Sequence, residues 1–227
     1  WALYDFANTG FAMIVLALIW PQMFHRYWGQ GLDHQTEAIT FKLSQAAPCL
    51  LVFLVAPFLG QLAETGHFRL KALRWSVVLG VIFTIGLSFV PASVWFYSAV
   101  LYCLSAIAFF CASTFYDSMI VDFAPARHRH FLSGLAYSLG FVAGLIILVG
   151  LAMGLFSGDS LHWIYLAAGI WWLIFSLPLL FYPDNRSAHV PSLSMREVFQ
   201  ATFQTSKELW VDVKVRWFLL SYILYID

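Results

Sequence analysis

The chain has 227 residues, of which 61% are apolar, 19% aromatic and only 11% charged, whereas soluble domains average about 45 to 50% apolar and about 25% charged. Too few charges remain to coat a water-facing surface, so the composition excludes a soluble globular domain and indicates a membrane protein. Lys plus Arg and Asp plus Glu are 12 each, a net charge of zero, which excludes the global basic field of a nucleic-acid-binding protein.

A helix must run about 20 largely apolar residues to cross a hydrocarbon core of about 30 Å, because lipid offers no partner to a free backbone group. Stretches without Asp, Glu, Lys or Arg cover 6–25, 43–63, 75–116, 131–158 and 160–183. The third is too long for one crossing, and Pro91-Ala92-Ser93 is the natural turn inside it. Six spans are therefore predicted over 1–183, and a seventh begins at Trp217 and runs to Asp227. Nothing basic precedes the first apolar stretch, so no signal peptide is read there. Asp227 interrupts an apolar run that has only begun, so the chain is expected to be a fragment cut inside a membrane span.

With the N-terminus in the cytoplasm, the inner segments hold Arg69, Lys71, Arg74, Arg127, Arg129, Arg186, Arg196, Lys207, Lys214 and Arg216, and the outer ones only Arg26 and Lys42. Positively charged loops stay inside, so this orientation is expected. Between spans six and seven lies a polar connection, 184–216. In it Ser194-Met195-Arg196-Glu197 has the form of a capping box, followed by apolar residues at helical spacing. The spacing predicts an amphipathic helix, lying along the inner membrane face or packed on neighbouring protein.

Along the spans, Asp5, Asn8 and Ala12 share a face with Tyr4 beside them, and Ser113, Tyr116 and Asp117 share one in the fourth span at the same depth. The two Tyr-Asp pairs are thus placed to approach each other. In the fifth span Ala136, Gly140, Gly144, Gly150 and Gly154 form a small-residue stripe suited to close helix packing. Pro48 and Pro57 in the second span and Pro178 in the sixth are placed to kink their helices. Trp20, Trp28, Trp95, Trp163 and Trp217 fall near span ends, as an interfacial belt does. Cys49, Cys103 and Cys111 lie in apolar runs, odd in number, and read as small buried hydrophobes, neither disulfides nor metal ligands. Asp227 stands eleven residues beyond Arg216. At about 1.5 Å per residue that is about 16 Å, near the bilayer centre, where a charge normally faces a cavity or a partner.

Several of these residues carry a family resemblance over the whole chain. Trp1 to Asn8 opening the first span, Tyr116-Asp117 ending the fourth, Asp122-Phe123-Ala124-Pro125 after it, Ser133-Gly134 opening the fifth and Tyr222 to Asp227 in the seventh resemble the major facilitator superfamily. More narrowly, they resemble the branch that contains the fungal vacuolar amino-acid effluxer. Gly60, Glu64 and Arg69 match half of the superfamily's signature between spans two and three. Glu64 stands for the usual Asp, and Thr65, His67 and Phe68 depart from the usual basic, Gly and basic residues. The resemblance implies an all-α membrane protein, the N-terminal six-helix bundle of a major facilitator fold plus the start of a seventh helix. It further implies alternating access around a midplane cavity, with a C-terminal six-helix half as partner.

The expected function is secondary transport of a small solute, an amino acid or similar metabolite, with a coupled ion such as a proton and without cofactor or metal. Asp5, Asn8, Tyr116, Asp117 and Asp227 are the cavity candidates, and Gly60, Glu64 and Arg69 the gating candidates. The membrane is the inner membrane in a bacterium and the vacuolar membrane in a fungus. Two alternatives stay open. One is a membrane enzyme using Asp117 and Asp122 with Arg127-His128-Arg129-His130, although the chain has no HExxH, P-loop or GxSxG pattern and the arginines surround any metal with cations. The other is a non-transporting receptor or scaffold.

Overall fold

The computed structural model describes residues 1–64, 68–154, 162–183 and 195–226. Among the described residues, six helices are long and apolar enough to cross a membrane: α1 (Ala2–Trp28), α2 (His34–Ala63), α3 (Phe68–Leu87), α4 (Trp95–Phe123), α5 (Ala126–Gly150) and α6 (Trp163–Leu180). Two more follow, α7 (Met195–Val211) and α8 (Val213–Ile226). Several helices outrun the charge-free stretch that predicted them. The fourth carries Asp117 and Asp122 in its last turns, because hydrocarbon penalises charge at the centre of a span far more than near its ends. The predicted break between α3 and α4 is a turn, with Ser93 at φ 63 and its N–H donating to the Tyr27 carbonyl at 2.9 Å.

Among the spans, α1 occupies the middle of the bundle, packed on α5, α6 and α4, while α4 also packs on α2 and α3, and α3 on α6. Helices in lipid gain nothing hydrophobic by meeting, so close packing has to supply the attraction. Glycines make that possible at two seams. A Cβ on Gly140 of α5 would lie 2.5 Å from Thr9 Oγ1, and one on Gly144 would lie 2.6 Å from Met13 Sδ. A Cβ on Gly80 of α3 would lie 2.5 Å from the Trp172 ring of α6. Of the α5 stripe Ala136, Gly140, Gly144 and Gly150 are buried, with Ala143 and Ile147 buried beside them. Gly154 lies beyond the helix at φ 73, a left-handed position that suits glycine, and is not part of the seam.

Midway, α1 widens into π-helical turns over Ala12–Ile19 and again over Phe24–Trp28. Pro21 between them has no N–H to give the preceding turn, and Gln22 Nε2 donates to the Leu18 carbonyl at 3.1 Å. A side chain thus supplies a donor beside the proline, as lipid cannot. Pro48 and Pro57 lie within one continuous α2, and Pro178 within α6. At its start α2 is capped by Asp33, whose Oδ2 accepts from the Thr36 N–H at 3.0 Å. That bond holds the exposed carboxyl below its usual range, so the cap is intact above that range and lost as pH falls through the lowered value.

Two tryptophans overturn the interfacial-belt expectation. Trp20 and Trp28 are fully buried. Trp20 stacks on Tyr102 at 3.9 Å and donates to Ser44 Oγ at 3.2 Å, and Trp28 donates to the Val90 carbonyl at 3.2 Å. A central helix buries even the rings near its end. Trp163 and Trp217 remain exposed. Cys49, expected to be buried, is exposed on α2, and Cys103 and Cys111 are half-buried.

Helix α7 has an apolar and a polar side. Val198 and Thr202 are buried, Phe199 stacks on Phe58 of α2 at 5.2 Å, and Phe203 and Trp210 stay exposed. One edge of its apolar face therefore packs on the bundle. Ser194 of the capping box lies outside the described residues.

Replacing Gly80 by Val drives two methyl groups toward the Trp172 ring and Ala108. We expect a loss of about 1 to 3 kcal/mol, the usual cost of overpacking, read as a lowered midpoint of thermal unfolding in detergent. Gly134→Ala, where a Cβ meets nothing within 4 Å, should leave the midpoint within error of the parent.

Candidate functional site: the seam between α1 and α4

Helices α1 and α4 run antiparallel, so their residues pair along the seam from one membrane face to the other. Tyr4 meets Tyr116 with ring centroids 4.6 Å apart, Phe11 meets Phe109 at 5.1 Å, and Trp20 meets Tyr102 at 3.9 Å. Between the first two pairs, Asn8 Nδ2 donates to Ser113 Oγ at 3.1 Å, and Ser113 Oγ donates to the Phe109 carbonyl at 3.0 Å. Trp1 also stacks on Tyr116, at 4.4 Å, and its indole donates to the Tyr116 carbonyl at 3.1 Å. The expected approach of the two Tyr-Asp pairs is thus present, carried by the rings.

Around the tyrosines the carboxylates take the open side of the seam. Asp5 is half-buried and Asp117 exposed. Asp5 Oδ2 lies 3.6 Å from where a Gly140 Cβ would stand, so it looks toward α5 as well as α4. The Asn8 Oδ1 and the Tyr116 hydroxyl are buried and have no hydrogen-bond partner among the described residues. The Tyr4 hydroxyl is likewise buried without a partner among the described residues. Of the five cavity candidates, four stand together here, and Asp227 lies outside the described residues.

One turn nearer the membrane face, the gating candidates are arranged differently from their order in the sequence. Arg69 of α3 is buried; it pairs with Asp122 and donates through Nη1 to the Ser118 carbonyl at 2.6 Å, both on α4. Gly60 is exposed on α2 with nothing within 4 Å of a Cβ there. Glu64 ends the described part of the helix, and its side chain is not described. Asp122 as the partner of Arg69 was not legible in the sequence, which offered it in the motif Asp122-Phe123-Ala124-Pro125 and beside Asp117 and the His-Arg run. Partners 53 positions apart leave no periodic trace. Nor does that run gather a metal site: no three His, Cys, Asp or Glu residues stand together among the described residues.

Comparison with known proteins now bears on this arrangement. The profile of the family described as vacuole effluxer Atg22 like matches residues 30–130 and 121–227. The chain belongs to that family. It is 25% identical over 242 residues to YxiO of Bacillus subtilis, described as an uncharacterized MFS-type transporter, covering 100% of the chain and 56% of the relative. It is 26% identical over 199 residues to a protein of Aquifex aeolicus, covering 87% of the chain and 48% of that relative. The chain thus spans about half the length of these curated relatives. The xylose transporter XylE of E. coli, in its inward-open conformation, superposes with a TM-score of 0.63 over 100% of the chain and 55% of its own length, at 16% identity. That likeness shows the fold, about half of a major facilitator bundle. Where the Atg22-like relatives carry a functional name it is that of a transporter, a class distinct from enzymes.

In this Atg22-like chain the buried Arg69 depends on Asp122. Removing one partner of a wholly buried pair costs about 3 to 5 kcal/mol. Asp122 retains 29% exposure, and solvent screening reduces the loss, so we expect about 1 to 3 kcal/mol for Asp122→Asn. Thermal unfolding of the purified protein measures it; an unchanged midpoint would mean the pair contributes nothing.

Proposed function

We propose that the chain is the N-terminal half of a secondary transporter that moves a small solute by alternating access, with the α1–α4 seam as one wall of the passage. The observation that carries this reading is the Asn8–Ser113 bond flanked by Tyr4, Tyr116, Asp5 and Asp117. Polar side chains this far into a span are costly in lipid and normally face a protein interior or a watery cavity. The family's printed description supports an effluxed metabolite as the solute, and an amino acid is the class we adopt. The loop arginines and lysines support a cytoplasmic N-terminus, which places α7 at the inner membrane face. In a bacterium the membrane is the inner membrane, and in a fungus the vacuolar membrane.

The wall needs its counterpart, and relatives of about twice the length support a second six-helix half that closes the passage. The pairing of Arg69 with Asp122 then acts as the gate's inner clamp. Proton coupling through Asp227 belongs to the same proposal, motivated by its depth in the seventh span.

Alternating access is tested without knowing the solute. The full-length protein, with Cys49, Cys103, Cys111 and every cysteine of the second half replaced by Ser, is given a single reporter by Ser113→Cys or Asn8→Cys and labelled with a membrane-impermeant maleimide from each side in turn. We expect both faces to reach the reporter. Labelling from one face only, for both reporters, would leave a receptor or scaffold and remove the carrier reading.

A further inference from the structure

Helix α7 is held at a definite depth by its two ends. Near its start Phe199 stacks on Phe58 of α2 at 5.2 Å, and Phe58 precedes Glu64, the last described residue of α2, by six residues, about 9 Å along the span. At its other end α7 passes through Asp212 alone into α8, the segment whose sequence reads as the start of a seventh span. Both ends therefore stand where hydrocarbon gives way to headgroups. The 17 residues between them, about 25 Å of helix, run along that boundary.

Around the helix the side chains are sorted. Val198 and Thr202 take the side packed on the bundle. At about 100° per residue, the exposed Phe199, Phe203 and Trp210 come next, within an arc of about 40°, and Arg196 and Lys207 stand directly beside them. Glu197 and Glu208 lie about 100° farther round, so rings and cations share one side and the acids take another. Phe203, Lys207, Trp210 and Val211 line an open groove of about 620 Å³. Arg196, Lys207 and, in the first turn of α8, Lys214 make no ion pair among the described residues. The acids nearest to Lys207 and Lys214 are occupied otherwise. Glu208 Oε1 accepts from Gln204 Nε2 at 3.0 Å, and Asp212 Oδ1 accepts from the Lys214 N–H at 2.8 Å.

A row of exposed rings favours an apolar layer, and unpaired cations along its edge favour a negative one. A neutral bilayer answers only the rings. We infer that this side of α7 docks on an anionic phospholipid surface, with Phe203 and Trp210 entering the acyl boundary and Lys207 taking a headgroup phosphate in the groove between them. Arg196 and Lys214 extend the same charged edge toward the two ends of the helix, and Glu208 stays in water on the far side. The inference is independent of the transport reading, since a receptor or scaffold built on this bundle would dock in the same way.

Brominated acyl chains, which quench a fluorophore on contact, test it. The full-length protein without its other cysteines carries a fluorophore on Gln200→Cys, an exposed position beside the cations. It is reconstituted in vesicles of phosphatidylcholine and phosphatidylglycerol in equal amounts, with bromine on one lipid or the other. We expect brominated phosphatidylglycerol to quench several-fold more strongly. Lys207→Gln should lower that preference by up to about fivefold, the scale of one cation at a charged membrane, while Lys207→Arg should keep it. Arg196→Gln, Lys207→Gln and Lys214→Gln together should abolish it, and Glu208→Gln should leave it unchanged. Should the triple variant insert badly, Lys207→Gln against Lys207→Arg decides alone.

Equal quenching by the two lipids in the parent, or a preference that survives the triple variant, overturns the inference. So does an absence of quenching by either lipid, because protein then covers this side of α7. A preference lost on adding inorganic phosphate, and not on adding chloride at matched ionic strength, overturns it too, since the groove then takes a free anion in place of a bilayer.

Discussion

A polar side chain inside hydrocarbon has no water to return to, so it must find a partner in the protein or a passage that water enters. The contact of α1 with α4 meets that demand only in part. Asn8 Nδ2 is given to Ser113, Ser113 returns its proton to its own helix, and aromatic pairs close the seam above and below, while Asn8 Oδ1 and the Tyr4 and Tyr116 hydroxyls find no partner among the described residues. Because the two helices are antiparallel, one register brings Tyr4 to Tyr116, Phe11 to Phe109 and Trp20 to Tyr102 at once. A slip along either helix would undo them all.

The rest of the bundle serves this seam. Gly140 and Gly144 let α5 come against Thr9 and Met13, which holds α1 from behind, and Gly80 lets α3 receive the Trp172 ring of α6. Contacts of this kind are smooth and carry little directional bonding, and such surfaces can slide or rock as rigid bodies. Directional bonds tie the helices at their ends as well. Arg69 joins α3 to α4 at one membrane face, and Trp28 and Ser93 join α1 to the turn after α3 at the other. A bundle built this way is stiff within itself, while the carboxylate side of the seam stays open to whatever faces it.

Much of this was legible in the residues alone. Hydrocarbon thickness and the cost of free backbone groups turn charge-free runs into spans, so the number of helices, the break at Pro91 and the amphipathic α7 all follow from one dimension of the pattern. The polar candidates were legible too, since a hydrophilic residue in such a run stands out, and Asp5, Asn8, Tyr116 and Asp117 come together in the fold. Partner choice was not. Asp122 reaches Arg69 from another helix, and Trp20 and Trp28, placed by position at the lipid boundary, are buried because α1 is central.

The sequence by itself determined which segments lie in the membrane, which residues in them are polar, and the family to which they are similar, because those are properties of composition along one line. Only the tertiary structure decided which helix stands in the middle, which acid an arginine meets and which side of a helix stays open. Those depend on packing between surfaces far apart in the chain, where spacing within a helix says nothing about the neighbour across it.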